Sequence, residues 1–282
     1  MVPSIPDFRV EYRERRDQKL HHIEMYCNSI FAMIFLIKLG WDSPVLFRDF
    51  QMTTPWYRSE LRAREEVRLE SLRNKHLILA IHGLSLFFAP RNHFNYQEAL
   101  GSIQGRLAIR VTLQLKGPRA LDSSPNTVAP NTTTGAIVTQ GPSNQNAVSD
   151  VPGRFIDPDD TKFVIRYERQ PAGTRQIYVD SLFTTFTEAL ADLAPHDANE
   201  LGARVNSAGY DRSTRLVVLD AGTADRPLLS YGRCVQALGQ VWRGLIELHE
   251  GLRTTRFDIE YAGVKLGSGF IKAVEPPTAA DA

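Results

Sequence analysis

The chain has 282 residues, 43% of them hydrophobic and 23% charged, with a formal net charge of +1. That composition excludes collagen-like, coiled-coil and wholly disordered classes, and a charge so near zero supplies no overall field for nucleic acid. The length is enough for two units, each burying a core. Cys27 and Cys234 lie in different halves, so no disulfide framework and no thiolate metal cluster is available.

The first 20 residues, MVPSIPDFRVEYRERRDQKL, are too charged for a secretory signal. The expected compartment is therefore the cytoplasm, with the secretory pathway or a membrane as the alternative. Residues 9–40 and 56–88 read as helical, the second because Arg and Glu crowd it without Gly or Pro from Trp56 to His82. Glu60 with Arg64, and Arg62 with Glu66, fall four apart, as on one solvated helix face. Asp42-Ser43-Pro44 and Thr54-Pro55 are breaks. Two apolar runs, Ser29–Ile37 and Leu77–Ala89, are shorter than the ~20 residues that span a bilayer and read as core. The second follows Arg73 and Lys75 and ends in Ala-Pro, so targeting or membrane contact through 77–89 stands as an alternative, as does a start at Met52. Leu107 to Leu115 alternates as a strand.

From Gly117 to Gly153 the chain is rich in Pro, Asn, Thr and Ser, a composition that cannot bury enough surface to order itself. It contains the sequon Asn131-Thr132-Thr133. The expected organisation is 1–116 as a mainly helical region, 117–153 as a disordered linker, 154–275 as an α+β domain and 276–282 as a tail.

In the C-terminal part, FVIRYER (163–169) alternates as a strand, a turn follows at 170–173, and 175–179 reads as its partner. Leu182, Phe183, Phe186, Leu190 and Leu193 recur at helical spacing, with Asp180 or Ser181 as cap and Pro195 as stop. Residues 203–220 read as a hairpin. Ser230 to Glu250 is the strongest element. Cys234, Val235, Leu238, Val241, Trp242 and Leu245 form one stripe, Ser230 is its N-cap and Gly251 its stop. Gly239 and Gly244 inside that helix imply a close approach by something bulky. Phe257, Ile259 and Tyr261 alternate on one strand, and Ala262-Gly263 turns the chain into a returning arm. The stretch GVKLGSG (263–269) lacks the Lys-Ser/Thr and following helix of a phosphate loop. Its same-face Gly267 and Gly269 are expected to let neighbouring groups pack closely. The fold class is thus α+β: an antiparallel C-terminal sheet with two helices on one face (ββαββαββ), preceded by a mainly helical N-terminal region.

The succession Leu229-Ser230-Tyr231-Gly232, Arg256-Phe257-Asp258-Ile259 and Gly263 to Gly269 resembles a recurring pattern in uncharacterised predicted proteins of filamentous fungi. The resemblance covers about residues 229–271 and implies a fold but no activity and no site residues.

Chemical constellations are few. His21, His22, Glu24 and Cys27 are close in sequence, but no second cluster completes a metal site. His82-Gly83-Leu84-Ser85-Leu86 lacks the second glycine of a nucleophile elbow. Cys234 and His249 would stand about 22 Å apart along one helix. His196-Asp197 reads as a turn, and Asp157, Asp159 and Asp160 as a loop. Arg13, Arg15, Arg16, Lys19, Arg58, Arg62, Arg64, Arg68 and Arg73 are interleaved with Glu, so nucleic acid is not the expected partner. No cofactor and no metal is expected. The reading that fits is a non-catalytic interaction or structural module whose partner is another protein. The alternatives are an enzyme with its site between helix 230–250 and the 256–274 hairpin, using Tyr231, Glu247 or Asp220, and a membrane-attached or secreted protein.

Overall fold

A computed structural model describes residues 5–53, 58–92, 94–116, 153–170, 175–247 and 252–274. Among these residues it contains four α-helices and two antiparallel sheets, divided between two compact units. The first unit runs β1 (Phe8–Lys19), α1 (His22–Lys38), β2 (Asp49–Met52), β3 (Ser59–Glu65), α2 (Asn74–Phe88), β4 (Asn95–Ile103) and β5 (Arg106–Leu115), with sheet order β1-β4-β5-β3-β2. The second runs β6 (Gly153–Ile156), β7 (Phe163–Arg169), α3 (Val179–Leu193, of which Leu190–Leu193 group with the first unit), β8 (Val205–Ala208), β9 (Thr214–Asp220), α4 (Tyr231–Glu247), β10 (Thr255–Tyr261) and β11 (Val264–Ala273), with sheet order β6-β7-β10-β11-β9-β8.

The N-terminal part is therefore not mainly helical. Phe8 to Lys19 is a strand whose residues alternate between half-buried and exposed, and Ser59 to Glu65 is another. The spacing that suggested helix is ambiguous, because positions i and i+4 share a face in a strand as well as in a helix. In a strand they stand about 13 Å apart at 3.3 Å per residue and cannot pair. Arg62 instead binds Asp49 on β2 (Nε to Oδ1, 2.7 Å), Glu66 accepts from Arg110 (2.6 Å), and Glu60 accepts from Gln51 and Gln114. Helix begins where side chains become apolar on all sides. Met25, Tyr26, Ile30, Met33 and Leu36 of α1 are fully buried, as are Leu77, Ile78, Ile81, Leu84 and Phe88 of α2. The run 77–89 is thus a core helix and its 3-10 extension, and no helix among the described residues is long and apolar enough to cross a membrane. Met52 is buried in β2, in a sheet whose β1 precedes it in sequence.

The second unit has the element order ββαββαββ, but its first pair is β6 and β7. Residues 175–178 form no strand and lead directly into α3. The sequence reading also passes over β2, β4 and β6. The stretch read as a linker, with its sequon, and the tail from 276 lie outside the described residues, except that Gly153 opens β6. Thr54-Pro55, His249 and Gly251 lie outside them too.

Without β6, the two units have one topology. The sheet orders β1-β4-β5-β3-β2 and β7-β10-β11-β9-β8 coincide when each element is matched to its counterpart in chain order. The match extends to detail. Each unit's last hairpin turns on two residues of positive φ, Gln104-Gly105 (51° and 76°) and Ala262-Gly263 (50° and 82°), the pattern of a type I′ turn. Each then carries a bulge at the same distance from the turn, with Ala108 and Leu266 as the extra residues. The carbonyls of those two residues accept from Glu66 N (3.0 Å) and Ala221 N (2.9 Å). The loop before the second helix is tied by the bridge Pro44↔Arg73 in one unit and Leu201↔Ser230 in the other. Asn28 of α1 donates to the Ser59 carbonyl at 3.2 Å, and its counterpart Thr185 of α3 donates to the Thr214 carbonyl at 3.4 Å.

Candidate functional site

The site expected between α4 and the final hairpin is not assembled. Tyr231 opens α4 and Glu247 closes it, so a 1.5 Å rise per residue sets them about 24 Å apart; the Glu247 side chain lies outside the described residues. Asp220 ends β9 with its carboxylate fully engaged. It accepts from Gly222 N at 2.5 Å, Leu229 N at 2.6 Å and Leu228 N at 3.0 Å, clamping the 221–229 loop. Tyr231 is half-exposed, and burial raises its phenol above the ordinary value. Cys234 is fully buried, which pushes its thiol up to about 12 and leaves it protonated at neutral pH.

The remaining constellations also resolve into structure. Glu24 Oε2 accepts from Arg58 N and Ser59 N (3.0 and 2.8 Å), the His21 ring stacks on His22 at 4.8 Å, and Cys27 is buried. Ser85 sits inside α2 and donates to the Ile81 carbonyl at 2.8 Å. Asp197 caps its own turn through Asn199 N at 2.7 Å. The acidic loop has a role that spacing does not disclose. Asp157 accepts from Gln236 (2.7 Å) and Asp160 from Arg233 (2.9 Å), while the Arg233 guanidinium lies 3.9 Å from the Tyr261 ring centroid. These contacts fasten the β6–β7 loop to the first turn of α4, whose N3 amide is capped by Ser230 Oγ at 3.2 Å. The glycines behave as expected at three positions. A Cβ at Gly244 would lie 1.9 Å from the Phe155 ring, one at Gly267 2.8 Å from the Leu219 carbonyl, and one at Gly269 2.4 Å from the Phe257 ring.

What distinguishes the two units is the sheet face turned away from the helices. In the first unit this face is polar and internally paired. Asp49 binds Arg62, Gln51 and Gln114 donate to Glu60, and Arg110 bridges Glu66 and the buried Glu98, at 2.6 Å each. Strand registers give the counterparts in the second unit: Arg204 for Asp49, Asn206 for Gln51, Arg215 for Glu60, Val217 for Arg62, Leu219 for Arg64 and Phe270 for Thr112. The paired network has become an apolar centre with a cationic rim. Leu219 is 51% exposed, Val217 and Phe270 are half-exposed, and the corner of β8, β9 and β11 encloses a shallow depression of about 420 Å³ lined by Arg204, Asn206, Arg215, Val217, Leu219 and Phe270. Arg215 Nε donates to Asn206 at 2.9 Å, which leaves its other guanidinium donors facing solvent.

Fold and face together define a two-unit α+β protein with one self-paired sheet surface and one open one. No protein-family model matches the chain, and no curated protein matches it. Among solved structures it is similar to the tandem DUF26 ectodomain of a cysteine-rich receptor-like protein from Arabidopsis thaliana. That likeness is 11% identity over 93% of this chain and 96% of the other, with a TM-score of 0.25. It is also similar to a putative thioesterase from Novosphingobium aromaticivorans, at 10% identity over 97% and 98% of the two chains and a TM-score of 0.14. Scores of this size establish no common fold.

Proposed function

We propose that the protein is a non-catalytic interaction module that holds a protein partner on the outer face of its second sheet. The observation that carries this reading is the substitution of Val217, Leu219 and Phe270 for ion-paired or polar residues at matched positions of one topology. An exposed apolar cluster rimmed by charge marks a contact surface, because burying it against a partner removes apolar area from water. The face is rigid, being built on three hydrogen-bonded strands, so little ordering entropy opposes docking. Engagement of the candidate side chains Asp220, Asp157 and Asp160 in backbone and loop contacts supports the same reading, since none of them is left to bind or activate a substrate.

The test is site-specific photo-crosslinking of the full chain in its source cells. A crosslinker at Val217 is expected to capture a defined protein, and one at the matched Arg62 of the first unit is not. Equal capture from both positions, or turnover of simple ester, phosphate or glycoside substrates by the purified chain, overturns the proposal.

A further inference from the structure

We infer that the segment received at this corner is acidic and apolar, an extended stretch of another protein in which carboxylates alternate with aliphatic side chains. This rests on the docking reading and carries it to the partner's chemistry. Four cations surround the apolar centre on the outer face: Arg204, Arg215, Arg256 and Lys272. Registers place Arg256 opposite Phe270 and Lys272 opposite Arg215, so all four adjoin Val217, Leu219 and Phe270. None of the four forms an ion pair among the described residues; Lys272 sits over the Phe270 ring at 5.5 Å from its centroid, and Glu168 stands opposite Arg256 on the side away from the depression. Elsewhere on the same face Arg166 is held by Glu260 at 2.7 Å and Lys265 by Asp258 at 2.7 Å, and Arg154, opposite Arg166 on β6, is a single cation away from the apolar centre. The cluster is not a consequence of general basicity, because residues 154–282 carry 15 Lys and Arg against 18 Asp and Glu. Two of the cations also reverse the sign found at the matched positions, where the first unit has Asp49 and Glu60.

Side chains alternate along an extended segment, so one of its faces could set aliphatic groups over Val217, Leu219 and Phe270 while neighbouring carboxylates meet the rim. Arg204 and Arg215 offer planar forks suited to carboxylates. The corner includes β8, the edge strand of its sheet. An incoming strand can therefore add to the edge while its side chains reach the depression. Of the three central residues only Phe270 is aromatic, which offers one stacking platform where single-stranded nucleic acid uses several in succession, so the centre disfavours nucleic acid.

Fluorescence anisotropy on the full chain tests this with labelled alternating octapeptides of Glu-Leu, Lys-Leu and Glu-Ser, and with a labelled single-stranded oligonucleotide. Glu-Leu is expected to bind, and the other three are not at the same concentration. Charge reversal in the pair R204E/R215E is expected to weaken Glu-Leu roughly tenfold or more, because two attractions become repulsions, and to flatten its salt dependence. The control Arg9→Glu, on β1 of the first unit, leaves binding unchanged. Lys-Leu binding that is lost in Leu219→Arg overturns the acidic partner and keeps the docking face. Failure of Leu219→Arg to affect any probe overturns both. Tighter binding of the oligonucleotide, lost in R204E/R215E, overturns the protein partner, and self-association lost in Leu219→Arg assigns the face to a second copy instead.

Discussion

If the two units share one architecture, an aromatic ring can be moved from its place in the second unit to its place in the first. In the second unit Phe155 of β6 stacks on Tyr167 of β7, with centroids 4.4 Å apart, and occupies the space left by Gly244 of α4. Among the described residues the first unit has no counterpart of β6. There Phe87, at the position of α2 that matches Gly244, supplies the ring and stacks on Tyr12 at 5.5 Å. Phe155→Ala removes a half-buried ring; full Phe truncations cost about 3–5 kcal/mol, so about 2 kcal/mol is expected here. Gly244→Phe alone drives one ring into another. The ~1 kcal/mol gained by removing a helix glycine offsets only part of that overpacking, which leaves a loss of about 2 kcal/mol. The double variant restores one ring in the geometry of the first unit and is expected at most about 1 kcal/mol below the parent, a coupling of about −3 to −4 kcal/mol. Hydrogen exchange read on peptides from α4 measures this in the full chain, and a 2 kcal/mol loss appears as about 30-fold faster opening. A double variant no more stable than the worse single one refutes the equivalence of the two positions.

Two further outcomes follow from particular contacts. Burial holds the His76 imidazole neutral and lowers its pKa to about 4, with Nδ1 accepting from Arg73 N at 2.9 Å and the ring 4.9 Å from Phe8. Below pH 6.5 the unfolded chain takes up a proton that the native chain refuses until about pH 4. The contribution is therefore whole above pH 6.5 and is lost as pH falls toward 4, by up to about 3 kcal/mol at ~1.36 kcal/mol per unit. Denaturation of the parent and of His76→Gln across that range measures it, and an equal pH slope in both removes His76 as the cause. Asp220→Ala frees three backbone amides of the 221–229 loop. It is expected to cost about 2 kcal/mol locally, since hydrogen bonds to charged groups contribute ~1.5–3 kcal/mol, and to speed exchange in that loop; unchanged protection there means that the clamp does not hold the loop.

The second unit is the more legible in sequence, for a physical reason. Its apolar residues recur at helical spacing in α3 and α4 and alternate in β7, β9 and β10, and Ser230 and Gly263 mark boundaries through chemistry specific to caps and turns. β1 and β3 of the first unit carry charge on the face that pairs with neighbouring strands, so local spacing resembles a solvated helix. Only the partner strands, distant in sequence, show where those charges go. The repeat is hidden for a related reason. Matched positions keep volume and polarity rather than identity, as Tyr26 matches Phe183, Met33 matches Leu190 and Asn28 matches Thr185, and β6 makes the second sheet one strand longer. The outer-face patch is illegible for the same cause: Arg204, Val217, Leu219 and Phe270 come from three strands and are gathered by register alone.

The comparison between the units also explains why an apolar face need not signal a poorly built sheet. β3 and β5 of the first unit support the same ladder with Arg62, Arg64 and Thr112 outward, so the fold does not require Val217, Leu219 or Phe270 at the matched places. Leaving Leu219 half-exposed gains no core packing, and an open aliphatic face on a sheet carries an aggregation hazard. The ring of unpaired cations addresses that hazard, because two copies approaching face to face would bring like charges together. The same ring favours a segment of opposite charge. One arrangement thus suppresses self-association and selects a partner, and it predicts that R204E/R215E, whose rim of two carboxylates and two cations no longer repels its own copy, loses the acidic peptide and gains self-association by sedimentation; a variant that stays monomeric refutes the role of the ring.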